Sequence, residues 1–167
     1  DVSSVTKMNN LFNGASLFNQ PIGDWNVSQV TNMVQTFKNA SIFNQNVGSW
    51  NTSSVHRMDG MFWRANEFNQ PIGDWNTSSV TFMLRMFQGA VSFNQPIDNW
   101  DVSNVTSMAQ MFQGATSFNQ AIGNWDLSSA RNIYKMFEGS GLFDQDLGSW
   151  NITTDTNTTE IFDDTPA

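Results

Sequence analysis

Apolar positions recur along this chain every 25 residues, and no insertion or deletion breaks the count. One column holds Phe12, Phe37, Phe62, Phe87, Phe112, Phe137 and Phe162, and a second holds Phe18, Phe43, Phe68, Phe93, Phe118 and Phe143. Trp25, Trp50, Trp75, Trp100, Trp125 and Trp150 form a third. Val5, Val30, Val55, Val80 and Val105 run on into Ala130, and Met8, Met33, Met58, Met83 and Met108 run on into Ile133. Small residues recur at Ala15, Ala40, Ala65, Ala90, Ala115 and Ser140. A unit this short cannot enclose a core, so each must bury its apolar edge on its neighbours, as the coils of a solenoid do. Like residues then lie above one another, roughly 4.8 Å apart if parallel strands join the coils. The chain of 167 residues reads as one domain, 1–167, with coils 1–25, 26–50, 51–75, 76–100, 101–125 and 126–150, and 151–167 as a partial or capping coil. These roughly 6.7 coils make a rod about 30 Å long.

Within a coil the pattern predicts a short parallel strand and a short helical turn. In "WNVSQV" (25–30) Trp25, Ser28 and Val30 suit a strand, which Val favours. "MVQTFKNA" (33–40) places apolar or small residues at i, i+4 and i+7, the spacing of one or two helical turns. "FNQPIGDW" (18–25, repeated letter for letter at 68–75) returns the chain, with Pro21, Pro71 and Pro96 where no ladder hydrogen bond is needed. Asn19, Asn44, Asn69, Asn94 and Asn119 repeat beside the second Phe column, a placement suited to satisfying backbone groups between coils.

"FNQPIGDWNVSQVTNMVQTF", and still more "WDVSNVTSMAQMFQGATSFNQ" (100–120), follow W-[DN]-x-S-x-V-x-x-M-x-x-M-F-x-x-A-x-x-F-N. This closely resembles the 25–26-residue repeat of BspA-like surface proteins of bacteria and protists, relatives of the leucine-rich repeats. The resemblance covers essentially the whole chain. It implies a right-handed, leucine-rich-repeat-like solenoid and a surface-exposed, adhesive or partner-binding protein, and it carries no catalytic motif. The seventh coil departs from the pattern, with Asp155 in the Val column and Thr158 in the Met column, as a polar cap would.

Composition narrows the chemistry. The net charge is −8 with 13% charged residues, which makes nucleic acid a poor partner. There is no cysteine, hence no disulfide framework or thiolate metal site. No apolar run reaches the ~20 residues of a membrane span, and no signal segment opens the chain. His56 is the single histidine, and no serine stands in an activating motif. No cofactor is expected. Paired carboxylates at Asp98/Asp101, Asp144/Asp146 and Asp163/Asp164 leave Ca²⁺ as a minor reading without EF-hand spacing. All seven Lys and Arg fall between the Val and small-residue columns, while most acids cluster near the Trp turn, so in-register stacking gives two edges of opposite charge.

Residues that leave the columns are the most informative. All nine Met lie in two columns, thirteen of fourteen Phe in two and six of seven Trp in one, so Trp63 and Phe82 stand out, as does the sole tyrosine, Tyr134. These three are expected to be exposed. His56, Arg57, Arg64 and Arg85 share coils three and four with Trp63 and Phe82, and aromatic and Arg side chains dominate interface hot spots. The candidate binding residues are therefore Trp63, Phe82, Arg57, Arg64, Arg85, His56 and Tyr134. The expected function is non-catalytic: an extracellular or cell-surface segment binding a protein or glycan, adhesin-like. A structural spacer is the competing class, and an uncapped terminal coil would also permit end-to-end self-association. A third reading, ice or crystal binding through the row Thr6, Thr31, Thr81 and Thr106, predicts thermal hysteresis that vanishes when these threonines become serine.

Overall fold

The computed structural model describes residues 2–165. Its coils stack in register from the first to the seventh. Isolated parallel bridges link Lys7 to Asn32, Asn32 to Arg57, Arg57 to Phe82, Phe82 to Ser107, Ser107 to Asn132 and Asn132 to Asn157. Only one residue per coil enters this ladder among the described residues, and none of them is helical. The strand-plus-helix, leucine-rich-repeat solenoid expected from the sequence is therefore not what the chain builds.

The reason lies in the backbone of the stretch expected to be helical. Gln35 and Asn39 have φ of 55° and 58°, in the left-handed region that an L-residue helix excludes. The N–H groups of Met33, Gln35, Phe37 and Asn39 donate to the next coil, to the carbonyls of Arg57, Asp59, Met61 and Trp63, at 2.7–3.0 Å. Those of Thr36, Lys38 and Ala40 donate three residues back within their own coil. Alternate N–H groups thus close turns and join coils, whereas a helix would send every one of them to i−4. The same two left-handed positions recur in every coil, as in Gly60 and Arg64, Arg85 and Gly89, and Gln110 and Gly114. No strand forms around residue 25 either. Asn26 Oδ1 accepts the Ser28 N–H and Val27 accepts the Val30 N–H, so the chain bends where a strand would extend. The Asn-x-Ser triplets at 51–53 and 76–78 are the same turns.

Side chains then meet their own copies. Within each coil the two Phe rings stack at 3.9–4.0 Å between centroids, as Phe37 does on Phe43 and Phe62 on Phe68. Along the stack Phe37, Phe62, Phe87 and Phe112 follow one another at 5.5–5.7 Å. The Trp75 indole N–H donates to the Val47 carbonyl at 3.0 Å and that of Trp100 to Ile72 at 3.0 Å, so the Trp column both packs and pins the preceding coil. Asn44 Oδ1 accepts the Asn69 N–H, and Asn69 Oδ1 accepts that of Asn94, each at 2.9–3.0 Å. The Asn column is a backbone-satisfying ladder.

In the last coil the turn before the bridge slips by one residue, while the bridge from Asn132 to Asn157 keeps the 25-residue spacing. Thr156 makes the turn bond that Val30 makes in coil two, its hydroxyl donates to the Ala130 carbonyl at 2.8 Å, and it is buried while Asp155 is exposed. The slip puts a threonine, rather than a carboxylate, beneath the Val column.

The Phe12 column offers an internal comparison. Phe87 is fully buried and Phe162 is 47% exposed. We expect Phe87→Ala to cost about 3–5 kcal/mol in urea unfolding and Phe162→Ala far less. We expect Trp100→Phe, which strips a donor from the Ile72 carbonyl, to cost about 1–3 kcal/mol.

Candidate functional site

The aromatic residues outside the core columns are each paired with a cation. The Lys38 ammonium lies 3.9 Å from the centroid of the Trp63 ring, and the Arg85 guanidinium lies 5.2 Å from it. Arg57 lies over Phe82 at 5.2 Å, and Lys135 over Tyr134 at 5.6 Å. Such contacts are worth about 0.5–2 kcal/mol depending on how dry they are. Two of the pairs follow directly from stacking, because Lys38 and Trp63, like Arg57 and Phe82, are 25 residues apart and so occupy the same position in successive coils.

Phe82 is 40% exposed, whereas Trp63 and Tyr134 are half-buried under these cations. Arg57 and Arg85 are each held by a second partner. Arg57 Nε donates to Asp59 Oδ2 at 2.8 Å, and Asp59 is only 7% exposed. Arg85 Nε donates to Gln110 Oε1 at 2.8 Å. From there a polar chain crosses the coils: Gln110 donates to Gln113, Gln113 to Glu138, and the Lys135 ammonium donates to Glu138 at 2.6 Å and pairs with Glu160 at 2.9 Å. Tyr134, three coils away, is thereby connected to the Trp63 pair. Arg64 is exposed on a left-handed backbone where later coils carry Gly89, Gly114 and Gly139. His56 is exposed, and its Nδ1–H donates to the Ser79 carbonyl at 3.1 Å.

Sequence reasoning did not include Lys38, Asp59 or Gln110 in this group. A search at spacing 25 from Trp63, and again from Arg85, finds Lys38 and Gln110. Asp59 shares no such signal with Arg57, because their bond spans two residues of one coil.

Other acids line grooves beside the Trp turn. A groove of about 460 Å³ is lined by Asn46, Ser49, Pro71, Asp74, Pro96 and Asp98. A second groove, which shares Asn46 and Ser49 with it, reaches Pro21 and Asp24. The Thr row is not a free hydroxyl array. The hydroxyls of Thr31, Thr81 and Thr106 each donate to a backbone carbonyl of the preceding coil at 3.2 Å. No cluster of three or more His, Asp or Glu capable of holding a metal occurs among the described residues.

With this geometry in view, one comparison is decisive. The pattern of a family described as "Mycoplasma protein of unknown function, DUF285" matches residues 1–83 and again residues 70–167. The chain belongs to the DUF285 family. Two overlapping matches on one chain mark the DUF285 pattern as repeat-like, in agreement with the stacked coils. No curated protein and no solved structure matches the chain.

The Lys135 cluster of this DUF285 chain has a defined pH signature. The Lys135 hydrogen bond holds the Glu138 carboxyl below its ordinary 4.5. Hydrogen bonds from Lys135 to Glu138 and to Glu160 raise the ammonium above its ordinary 10.5. A depressed carboxyl stabilises above its unfolded value and loses that contribution as pH falls through the folded one. A raised ammonium stabilises below its unfolded value and loses that contribution as pH rises through the folded one. We expect the stability difference between wild type and Lys135→Met, measured by urea midpoint, to be level from about pH 5 to 10 and to shrink on both flanks.

Proposed function

We propose that this chain is a non-catalytic, partner-binding repeat segment that presents its cation–aromatic face to a protein or glycan on another surface. The observation that carries the reading is the placement of Lys38 on Trp63 and of Arg57 on Phe82 in successive coils, outside every core column. Core packing does not need these side chains, yet they are ordered against one another. Ordered side chains lose less entropy on binding, which is what a pre-organised interface requires. Four of the seven Lys and Arg residues, Lys38, Arg57, Arg64 and Arg85, fall in coils two to four of a chain whose net charge is −8.

The repeat consensus supports kinship with the surface-protein repeats of BspA type, and with it an extracellular or cell-surface location and an adhesin-like role. A non-catalytic reading is supported by the sequence, in which His56 is the single histidine and no serine stands in an activating motif. A structural spacer is the competing class.

The discriminating experiment replaces residues 51–100 with two copies of residues 101–125, a coil that keeps every core column. Purified wild type and exchanged chain are probed against arrays of glycans and surface proteins. We expect wild type to capture a defined partner and the exchanged chain to lose it while its melting temperature stays close to wild type. Equal capture by both chains would move the binding face elsewhere, and no capture by either would favour the spacer.

A further inference from the structure

We propose that Arg57 and Arg85 form a pair of pre-set guanidinium receptors for the carboxylates of an acidic segment in a partner protein. This rests on the binding reading above and narrows it to one chemistry. Each guanidinium is fixed twice, by its Nε hydrogen bond to Asp59 or Gln110 and by an aromatic ring at 5.2 Å. Their terminal amino groups make no hydrogen bond or ion pair among the described residues, and the Arg57 side chain is 51% exposed. With Nε occupied, each guanidinium still offers the end-on edge formed by its two terminal amino groups, a planar two-donor fork that matches a carboxylate.

Charge complementarity selects the occupant. Asp59 is buried and already bound to Arg57, while Asp74 and Asp98 line a groove that includes neither arginine. The face is thus locally basic on an acidic chain, which favours an anionic partner. The Trp63 ring favours an acidic protein over an acidic glycan. Trp63 is covered by Lys38 from the coil before it and by Arg85 from the coil after it, so it offers no free platform on which a sugar could stack. Its role is to hold the guanidinium, and Phe82 plays the same part for Arg57.

The test uses the whole chain and a fluorescent peptide of about 12 residues alternating Glu and Ser, followed by anisotropy at about 50 and 300 mM salt. A heparin fragment and a neutral oligosaccharide serve as parallel probes. We expect saturable peptide binding that weakens with salt and falls at least tenfold in the Arg57→Gln, Arg85→Gln double variant. Arg131→Gln, in coil six, should bind like wild type. Trp63→Gln should lose part of the affinity and Trp63→Phe should restore most of it, because either aromatic ring can seat a guanidinium. Unchanged melting of each variant separates lost binding from lost folding. No peptide binding, equal binding by the double variant, or binding of heparin alone would each overturn the carboxylate assignment. Should any of these occur while the coil exchange still abolishes capture on the arrays, the carboxylate assignment falls and the broader binding reading stands.

Discussion

The structure depends on backbone N–H groups that alternate between closing a turn in their own coil and bonding to the next one. An L-residue chain reaches this alternation only by entering the left-handed region twice per coil, at a cost of roughly 1–2 kcal/mol for each residue with a side chain. Nine such non-glycine residues are spread over the described chain. The cost is offset because, in the first six coils, each left-handed residue aims its N–H at a carbonyl of the next coil, a group that would otherwise lose its partner. A helix would satisfy the same donors locally and remove these bonds between coils.

Once the backbone is locked coil to coil, the side chains have little choice. Phe stacks on Phe, Trp donates to a carbonyl of the coil before, and Asn accepts the N–H of the next Asn. Each row is one interaction repeated, which explains why few letters vary. A residue that departs from a row must turn outward or find a partner directly above or below. Trp63 and Phe82 do the second with Lys38 and Arg57.

The proposed face is therefore a product of the same constraint. Spacing of 25 places a cation from one coil on the aromatic of the next, and the rigid stack keeps it there. Buried Asp59 and the amide of Gln110 then fix the Nε of Arg57 and Arg85 and orient their remaining donors. The left-handed backbone of Arg64 and Arg85 belongs to the coil rather than to this face, since every other coil shows it at the same positions.

The period, the membership of each core row, the Asn ladder and the odd residues out were all legible in the amino-acid order, because stacking identical coils writes each contact as a recurrence. The conformation within a coil was not. Met33, Phe37 and Ala40 have helical spacing, yet the same spacing serves a run of turns whose donors point along the stack, and only the neighbouring coil supplies the carbonyls that make turns win. The strand expected at Trp25 likewise gave way to a side-chain-capped turn at Asn26. Exposure of the candidate residues was decided in three dimensions too: Trp63 and Tyr134 are covered by cations whose reach no linear pattern reports. Even the polar last coil was settled by packing. A one-residue slip turned Thr156 inward and left Asp155 in water, since a buried hydroxyl with a carbonyl partner is far less costly than a buried carboxylate.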